Sequence, residues 1–123
     1  MELNTARVFV TDLAKARSFY ETTLALPLKI DGESYGFCVF RPGGMDLVIE
    51  SVPADAPDDD RILVGRFTGL SFTVPDIHSK YAELLAKGVS FSGEPELQAW
   101  GGTLATFVDP AGNGLQLVQS RAA

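Results

Sequence analysis

Apolar and polar residues alternate through Thr5-Ala-Arg-Val-Phe-Val-Thr11, a run rich in β-branched and aromatic side chains, and this predicts a strand. The period then changes. Leu13, Ala16, Tyr20 and Leu24 recur at helical spacing behind Asp12, a residue type that caps helices, so a helix is expected over about residues 13–24. Leu28–Ile30 is a short strand candidate. Tyr35–Phe40 and Met45–Glu50 are two more, joined by Arg41-Pro-Gly-Gly44, which has hairpin-turn chemistry. The order then returns. Gly69–Val74 predicts a strand, Asp76 offers a cap, and Ile77, Tyr81, Leu84 and Leu85 give the next helix an apolar face that Gly88 terminates. Val89–Ser92, Gly102–Val108 and Gly114–Gln119 predict three further strands, the last two joined by the tight turn Asp109-Pro-Ala-Gly-Asn113.

The return is a duplication, and it can be followed residue by residue. Val8, Val10, Asp12 and Leu13 correspond to Phe72, Val74, Asp76 and Ile77 at one constant offset, and Pro42 and Pro110 occupy the same turn. Each copy is β-α-β-β-β in about 50 residues, too few to bury a sheet face alone. The expected organisation is therefore a first module of about residues 1–52, a linker of about 53–66 and a second module of about 67–121, together one domain over 1–123. The linker carries Asp58-Asp59-Asp60, which reads as a solvated loop because it lacks the interleaved acceptors of a calcium loop.

Composition narrows the classes of partner. Hydrophobic residues are 46% of the 123 and charged residues 21%, proportions of a globular chain rather than a disordered one. The net charge of −6 argues against nucleic acid or an anionic membrane as a partner. The single cysteine, Cys38, cannot form an internal disulfide, and Met1-Glu2-Leu3-Asn4 begins no secretory signal, so a cytoplasmic location is expected. No apolar run approaches the ~20 residues of a membrane helix.

Several segments carry a resemblance in a fixed order: Val10-Thr-Asp-Leu-Ala-Lys-Ala-Arg-Ser-Phe-Tyr20 and Leu24-Ala-Leu26, then Phe72-Thr-Val74, Asp76, Tyr81-Ala-Glu-Leu-Leu-Ala-Lys-Gly88, Trp100-Gly-Gly102 and Phe107-Val-Asp-Pro-Ala-Gly-Asn113. In this order they resemble the vicinal oxygen chelate superfamily of glyoxalase I, bleomycin-resistance proteins and extradiol dioxygenases. The resemblance covers nearly the whole chain. It implies an α+β fold of two tandem βαβββ modules whose curved mixed sheets form a cup, with helices packed outside. One departure is Ala25, where the family usually has Gly; a left-handed Ala costs roughly 1–2 kcal/mol, so a reshaped helix end is expected there.

Within that fold, strand alternation turns Ala6, Val8, Val10, Leu47, Ile49, Leu70, Phe72, Val74, Leu115 and Leu117 to the core. It turns Thr5, Arg7, Phe9, Asp46, Val48, Glu50, Gly69, Ser71, Thr73, Gln116 and Val118 to the cup. The resemblance implies metal-ligand positions at Thr5, Asp46, Gly69 and Gln116. Glycine offers no donor and a neutral Thr hydroxyl is a poor one, so no metal and no other cofactor is expected. The lone His78, early in the second helix, reads as an exposed helix residue. No serine has a histidine base within its motif, and Cys38 points to the core, so no nucleophile is assigned. A carboxylate base, Asp46 or Glu50 with a pKa raised by an apolar cup, keeps a lyase, isomerase or dioxygenase of the same superfamily open as the alternative.

The favoured expectation is a metal-free module of the bleomycin-resistance kind, without turnover, that sequesters a small organic molecule. Its candidate binding residues are Phe9, Phe37 and Trp100 as flat surfaces and Arg7, Asp46, Ser71 and Gln116 as polar anchors. Structural roles compete for three of them: core packing for Phe37 and for Trp100, although Gly101-Gly102 suggests a mobile rim at Trp100, and a dimer-interface ion pair, with Asp46, for Arg7. The acidic balance suits a cationic ligand by steering. A homodimer is expected, as is usual for relatives of this length and as small modules that leave apolar strand surface require.

Overall fold

The structure, a computed structural model, describes residues 1–121; the end of the expected 1–123 domain lies outside the described residues. The first copy runs β1 (Thr5–Val10), α1 (Leu13–Ser18), a π-helical turn at Phe19–Thr23, β2 (Leu28–Gly32), a 3-10 turn at Glu33–Tyr35, β3 (Phe37–Phe40) and β4 (Asp46–Ser51). Its sheet has the order β1-β4-β3-β2, with β1 parallel to β4 and the other pairs antiparallel. A short helix α2 (Asp58–Arg61) follows. The second copy runs β5 (Phe67–Thr73), α3 (Ile77–Ala86), β6 (Ser90–Phe91), β7 (Glu96–Leu97), β8 (Thr103–Val108) and β9 (Gly114–Gln119). Its sheet repeats the plan as β5-β9-β8-β6, with β5 parallel to β9 and β7 also pairing β8. The fold is therefore α+β, with two βαβββ mixed sheets.

Two compact units are formed. One holds Met1–Arg66 with the turn Pro110–Asn113; the other holds Phe67–Asp109 and the residues from Gly114 onward. In the first, Val8, Val10, Cys38, Phe40, Leu47 and Ile49 of the sheet bury against Leu13, Ala16 and Tyr20 of the helical segment. In the second, Ala105, Phe107, Leu115 and Leu117 bury with Ile77 and Leu84 of α3. Each fully buried large side chain contributes about 1.5–3 kcal/mol. The alternation expected of the strands is the one observed, including the burial of Cys38. Among the described residues no helix is long and apolar enough to cross a membrane.

The repeat is visible in the caps. Asp12 Oδ1 accepts from the Lys15 amide at 3.0 Å and Asp76 Oδ1 from the Ser79 amide at 3.1 Å, so both helices start alike. They end differently. After α3, Gly88 turns left-handed (φ 88°), and the amides of Gly88 and Val89 reach the carbonyls of Leu85 and Leu84. In the first copy the expected helix over 13–24 is α-helical only to Ser18. The Leu24 amide then bonds the Phe19 carbonyl at 2.9 Å, a π turn, and Ala25 takes the left-handed place with φ 56°. Eleven residues separate Ile77 from Gly88 and twelve separate Leu13 from Ala25. The π turn absorbs the extra one.

Three sequence expectations are corrected. Tyr35 does not begin a strand; it is exposed in a 3-10 turn closed by left-handed Gly36 (φ 90°). Asp58-Asp59-Asp60 is a turn of helix rather than a loop, since Pro57 precedes three acids at the positive end of the helix and Arg61 closes it. The strand expected over Val89–Ser92 is only Ser90–Phe91, and β7, which had no sequence signal, lies on the other end of β8.

The turn 110–113 contributes one buried polar side chain to the first unit. Asn113 is 1% exposed; its Oδ1 accepts from the Gly65 amide and its Nδ2 donates to the Phe9 carbonyl, both at 2.8 Å. Replacing Asn113 with Ala strands both backbone groups and should lower stability by about 2–6 kcal/mol in chemical denaturation, at roughly 1–3 kcal/mol for each unsatisfied group. A loss no larger than the ~0.5 kcal/mol of an ordinary surface change would refute this role. At Ala25, substitution by Gly should relieve the left-handed strain and stabilise by about 0.5–1 kcal/mol, a rise in Tm of roughly 2–4 °C, while Ala25→Val should lower Tm. A melt in which Gly proves the worse residue would show that Ala25 is not held left-handed.

Candidate functional site

In the first unit, the parallel register sets Arg7 beside Val48 and Phe9 beside Glu50, and the antiparallel register continues to Val39 and Phe37. These residues share one sheet face because side chains alternate along each strand. Arg7 Nη2 donates to both carboxylate oxygens of Glu50, at 2.7 and 2.8 Å, and its guanidinium lies 5.1 Å from the centroid of the Phe9 ring. With side chains 54% and 35% exposed, this pair is worth only about 0.2–1 kcal/mol. Beside it, Arg7, Phe9 and Glu50 line a cavity of about 340 Å³ whose remaining wall includes Pro53, Ala56, Asp60 and Leu63. The segment expected to be a linker thus forms one side of the site.

Asp46 stands at the far end of the same face and is committed elsewhere. It accepts from Lys29 at 2.8 Å and from Arg41 at 2.7 Å, and the hydrogen bond from Lys29, with that from Arg41, holds its carboxyl below the usual carboxylate range. Two expectations are corrected by this. The pKa of Asp46 is depressed, the reverse of what a general base in an apolar cup requires, and the ion-pair partner of Arg7 is Glu50, not Asp46. A polar cavity of about 570 Å³ lies beside Lys29, Arg41 and Asp46, with Glu2 and Asn4 also on its wall. Phe37 shares the register of Phe9 and Glu50, but its ring covers Gly32: a Cβ there would meet Phe37 Cζ at 2.7 Å. Its contact is the packing alternative weighed from the sequence.

In the second unit, Ser71, Gln116 and Thr106 stand abreast on β5, β9 and β8, and Gln116 Nε2 donates to Thr106 Oγ1 at 3.1 Å. Gln116 and Thr106, with Ser92, Glu94, Glu96 and Gln98, line a cavity of about 270 Å³. Trp100 sits in the turn between β7 and β8, closed by the Gly101 amide on the Gln98 carbonyl at 2.9 Å, with its ring against Gly102 and 56% exposed. The structure thus brings Arg7 with Phe9, and Ser71 with Gln116. Phe37 lies in register with Glu50 but packs its ring on Gly32, and Asp46 is held by Lys29 and Arg41.

The residues at the family's metal-ligand positions do not suit a divalent ion. The Thr5 hydroxyl donates to Asn4 Oδ1 at 2.9 Å, Asp46 is taken by two cations, and Gln116 is turned to Thr106. Gly69 lies left-handed (φ 76°) in a register break of β5 between Phe67 and Ser71, where any side chain would be strained. Among the described residues no three His, Cys, Asp or Glu side chains gather into a group that could hold a metal. His78 is exposed, and burial pushes the Cys38 thiol up, which leaves it unreactive. The residues missed from the sequence are Lys29, Arg41 and the wall Pro53, Ala56, Asp60 and Leu63. Proline followed by acids was an available signal for α2; nothing in the sequence paired Lys29 with Asp46.

Comparison with known proteins agrees with this architecture. The uncharacterized protein YurT of Bacillus subtilis is 31% identical over 127 residues, covering 97% of this chain and 99% of that one. A solved member of the glyoxalase/bleomycin resistance protein/dioxygenase superfamily from Sphaerobacter thermophilus is 28% identical and superposes with a TM-score of 0.78 over 98% of both chains. TnmS3, an antibiotic binding protein from a Streptomyces species, is 27% identical, with a TM-score of 0.75 over 97% of this chain and 95% of its own. The model of one family matches residues 2–117. The chain belongs to the Glyoxalase/Bleomycin resistance protein/Dioxygenase superfamily.

Proposed function

We propose that this protein binds a small organic molecule without transforming it, in the manner of a sequestering or resistance protein. The observation that carries the reading is the open pocket beside Arg7, Phe9 and Glu50, where an aromatic ring and the aliphatic surfaces of Val52, Pro53, Ala56 and Leu63 lie next to an ion pair. Apolar surface beside a few oriented polar groups is what small-molecule recognition needs. The likeness to an antibiotic binding protein supports the same class. A lyase, isomerase or dioxygenase draws less support. Asp46 is held ionised by Lys29 and Arg41, and Glu50 already receives two hydrogen bonds from Arg7. Asp46 is not poised to take a proton.

In this reading Phe9 supplies the flat surface and Arg7 with Glu50 the polar edge. Ser71, Gln116 and Trp100 are proposed as binding residues of the second unit taken by itself. The homodimer belongs to the same proposal, and sedimentation velocity at micromolar concentration reads it; a stable monomer removes it.

Calorimetric titration with a panel of polycyclic aromatic dyes and antibiotics tests the function. At least one compound should bind, and Phe9→Ala should weaken it about tenfold with an unchanged melt, since ring stacking contributes about 0.5–1.5 kcal/mol beyond the buried area. Mass spectrometry of the bound compound should return it unaltered. A product of changed mass would make the enzyme reading first, and a panel without a single binder would remove the binding one.

A further inference from the structure

The turn that completes the first unit contains a chemically labile pair. The chain has two asparagines, Asn4 and Asn113, and Asn113 is followed by glycine. A backbone nitrogen can attack the side-chain amide of the asparagine before it, and glycine, with no Cβ, leaves that nitrogen open to the approach. Asn4 precedes Thr5, whose branched side chain crowds the same path. Gly114 has little freedom to change, because a Cβ there would meet Phe67 Cδ1 at 3.0 Å. In the folded chain the reaction is held off. Asn113 is buried, and both polar ends of its side chain are engaged, Oδ1 by the Gly65 amide and Nδ2 by the Phe9 carbonyl, each at 2.8 Å. Gly114 is itself fixed as the first residue of β9, in register with Val108, and Thr68 Oγ1 donates to its carbonyl at 2.8 Å.

We propose that Asn113 is a self-modification site: it converts to aspartate and isoaspartate only after the turn at 110–113 leaves its two partners, and the conversion bars its return. The Gly114 nitrogen bonds to Asn113 Cγ, and its proton departs with Nδ2 as ammonia. Water then opens the resulting cyclic imide at either carbonyl, and nothing is oxidised or reduced. The atom expelled is the one that donates to Phe9. A carboxylate in its place still accepts from the Gly65 amide, but it sets an oxygen against the Phe9 carbonyl and carries a charge into a buried place. Isoaspartate also lengthens the backbone by one carbon where the turn enters β9. Each opening of the turn therefore carries a chance of permanent release, and the first unit accumulates a record of the time it has spent open. The inference stands whatever the cavity beside Phe9 binds.

The test ages the whole chain in mildly alkaline buffer, folded and in guanidinium chloride, and follows it by peptide mass mapping and by enzymatic methylation of isoaspartate. In guanidinium chloride Asn113 should convert and Asn4 should lag behind it. In the folded chain the conversion of Asn113 should be at least about a hundredfold slower, tenfold for each buried hydrogen bond that must open first. The converted chain, returned to native buffer, should melt at least about 5 °C below the unaged chain, and Asn113→Asp, which carries the aspartate product alone, should share that loss. A smaller ratio between the two rates, conversion of Asn4 ahead of Asn113, or a converted chain that melts with the unaged one overturns the proposal. An Asn113→Asp variant that fails to fold supports the loss, and the aged wild-type chain then decides the barred return without a substitution.

Discussion

In each copy of the repeat, the first strand lies parallel to the last, β1 on β4 and β5 on β9. Two parallel strands cannot be joined by a hairpin, so the chain must leave the sheet, cross over it through a helix and return by way of further strands. The β-α-β-β-β order, the helix on one face and the placing of the polar and aromatic side chains on the other all follow from that one pairing. It also sets the site. Phe9 and Glu50 are 41 residues apart in sequence but adjacent in register, and Arg7, opposite Val48 on the same face, reaches the Glu50 carboxylate two residues along.

Much of this was legible because strands and helices have different periods, and this chain keeps each period cleanly. Val8, Val10, Leu47, Ile49, Leu115 and Leu117 announced the buried faces, and Asp12 and Asp76 announced two equivalent helix starts. The helix end at Ala25 was legible in part, since a missing glycine signalled strain. The one-residue excess between Leu13 and Ala25, which the structure spends as a π turn, needed the two copies to be counted against each other. Site residues were less accessible. Alternation tells which face a side chain is on, but not which neighbour it chooses there. Arg7 stands opposite Val48, two residues from both Asp46 and Glu50, and it pairs with Glu50 while Lys29 and Arg41 hold Asp46.

The linker shows a different limit. Its acids and prolines have the composition of exposed chain, and its residues are indeed mostly exposed. Composition does not say where an exposed segment runs. Held by the bridge between Phe9 and Val64 and by the turn of α2, this one passes along the mouth of a cavity, and its side chains become a wall.

The Asn113 side chain has a consequence for the order in which the protein is made. It spans 104 residues of sequence to reach the Phe9 carbonyl, and 48 to reach the Gly65 amide. A ribosome delivers β1 through α2 long before it delivers the turn at 110–113. During that interval the nascent first sheet can pair its strands and bury Tyr20 and Phe40, but two of its backbone groups must stay hydrated. Contacts of such long separation also slow the final closure, because loop entropy is spent before they form. The first copy is therefore complete in sequence at residue 66 and incomplete in structure until the turn at 110–113 has been synthesised.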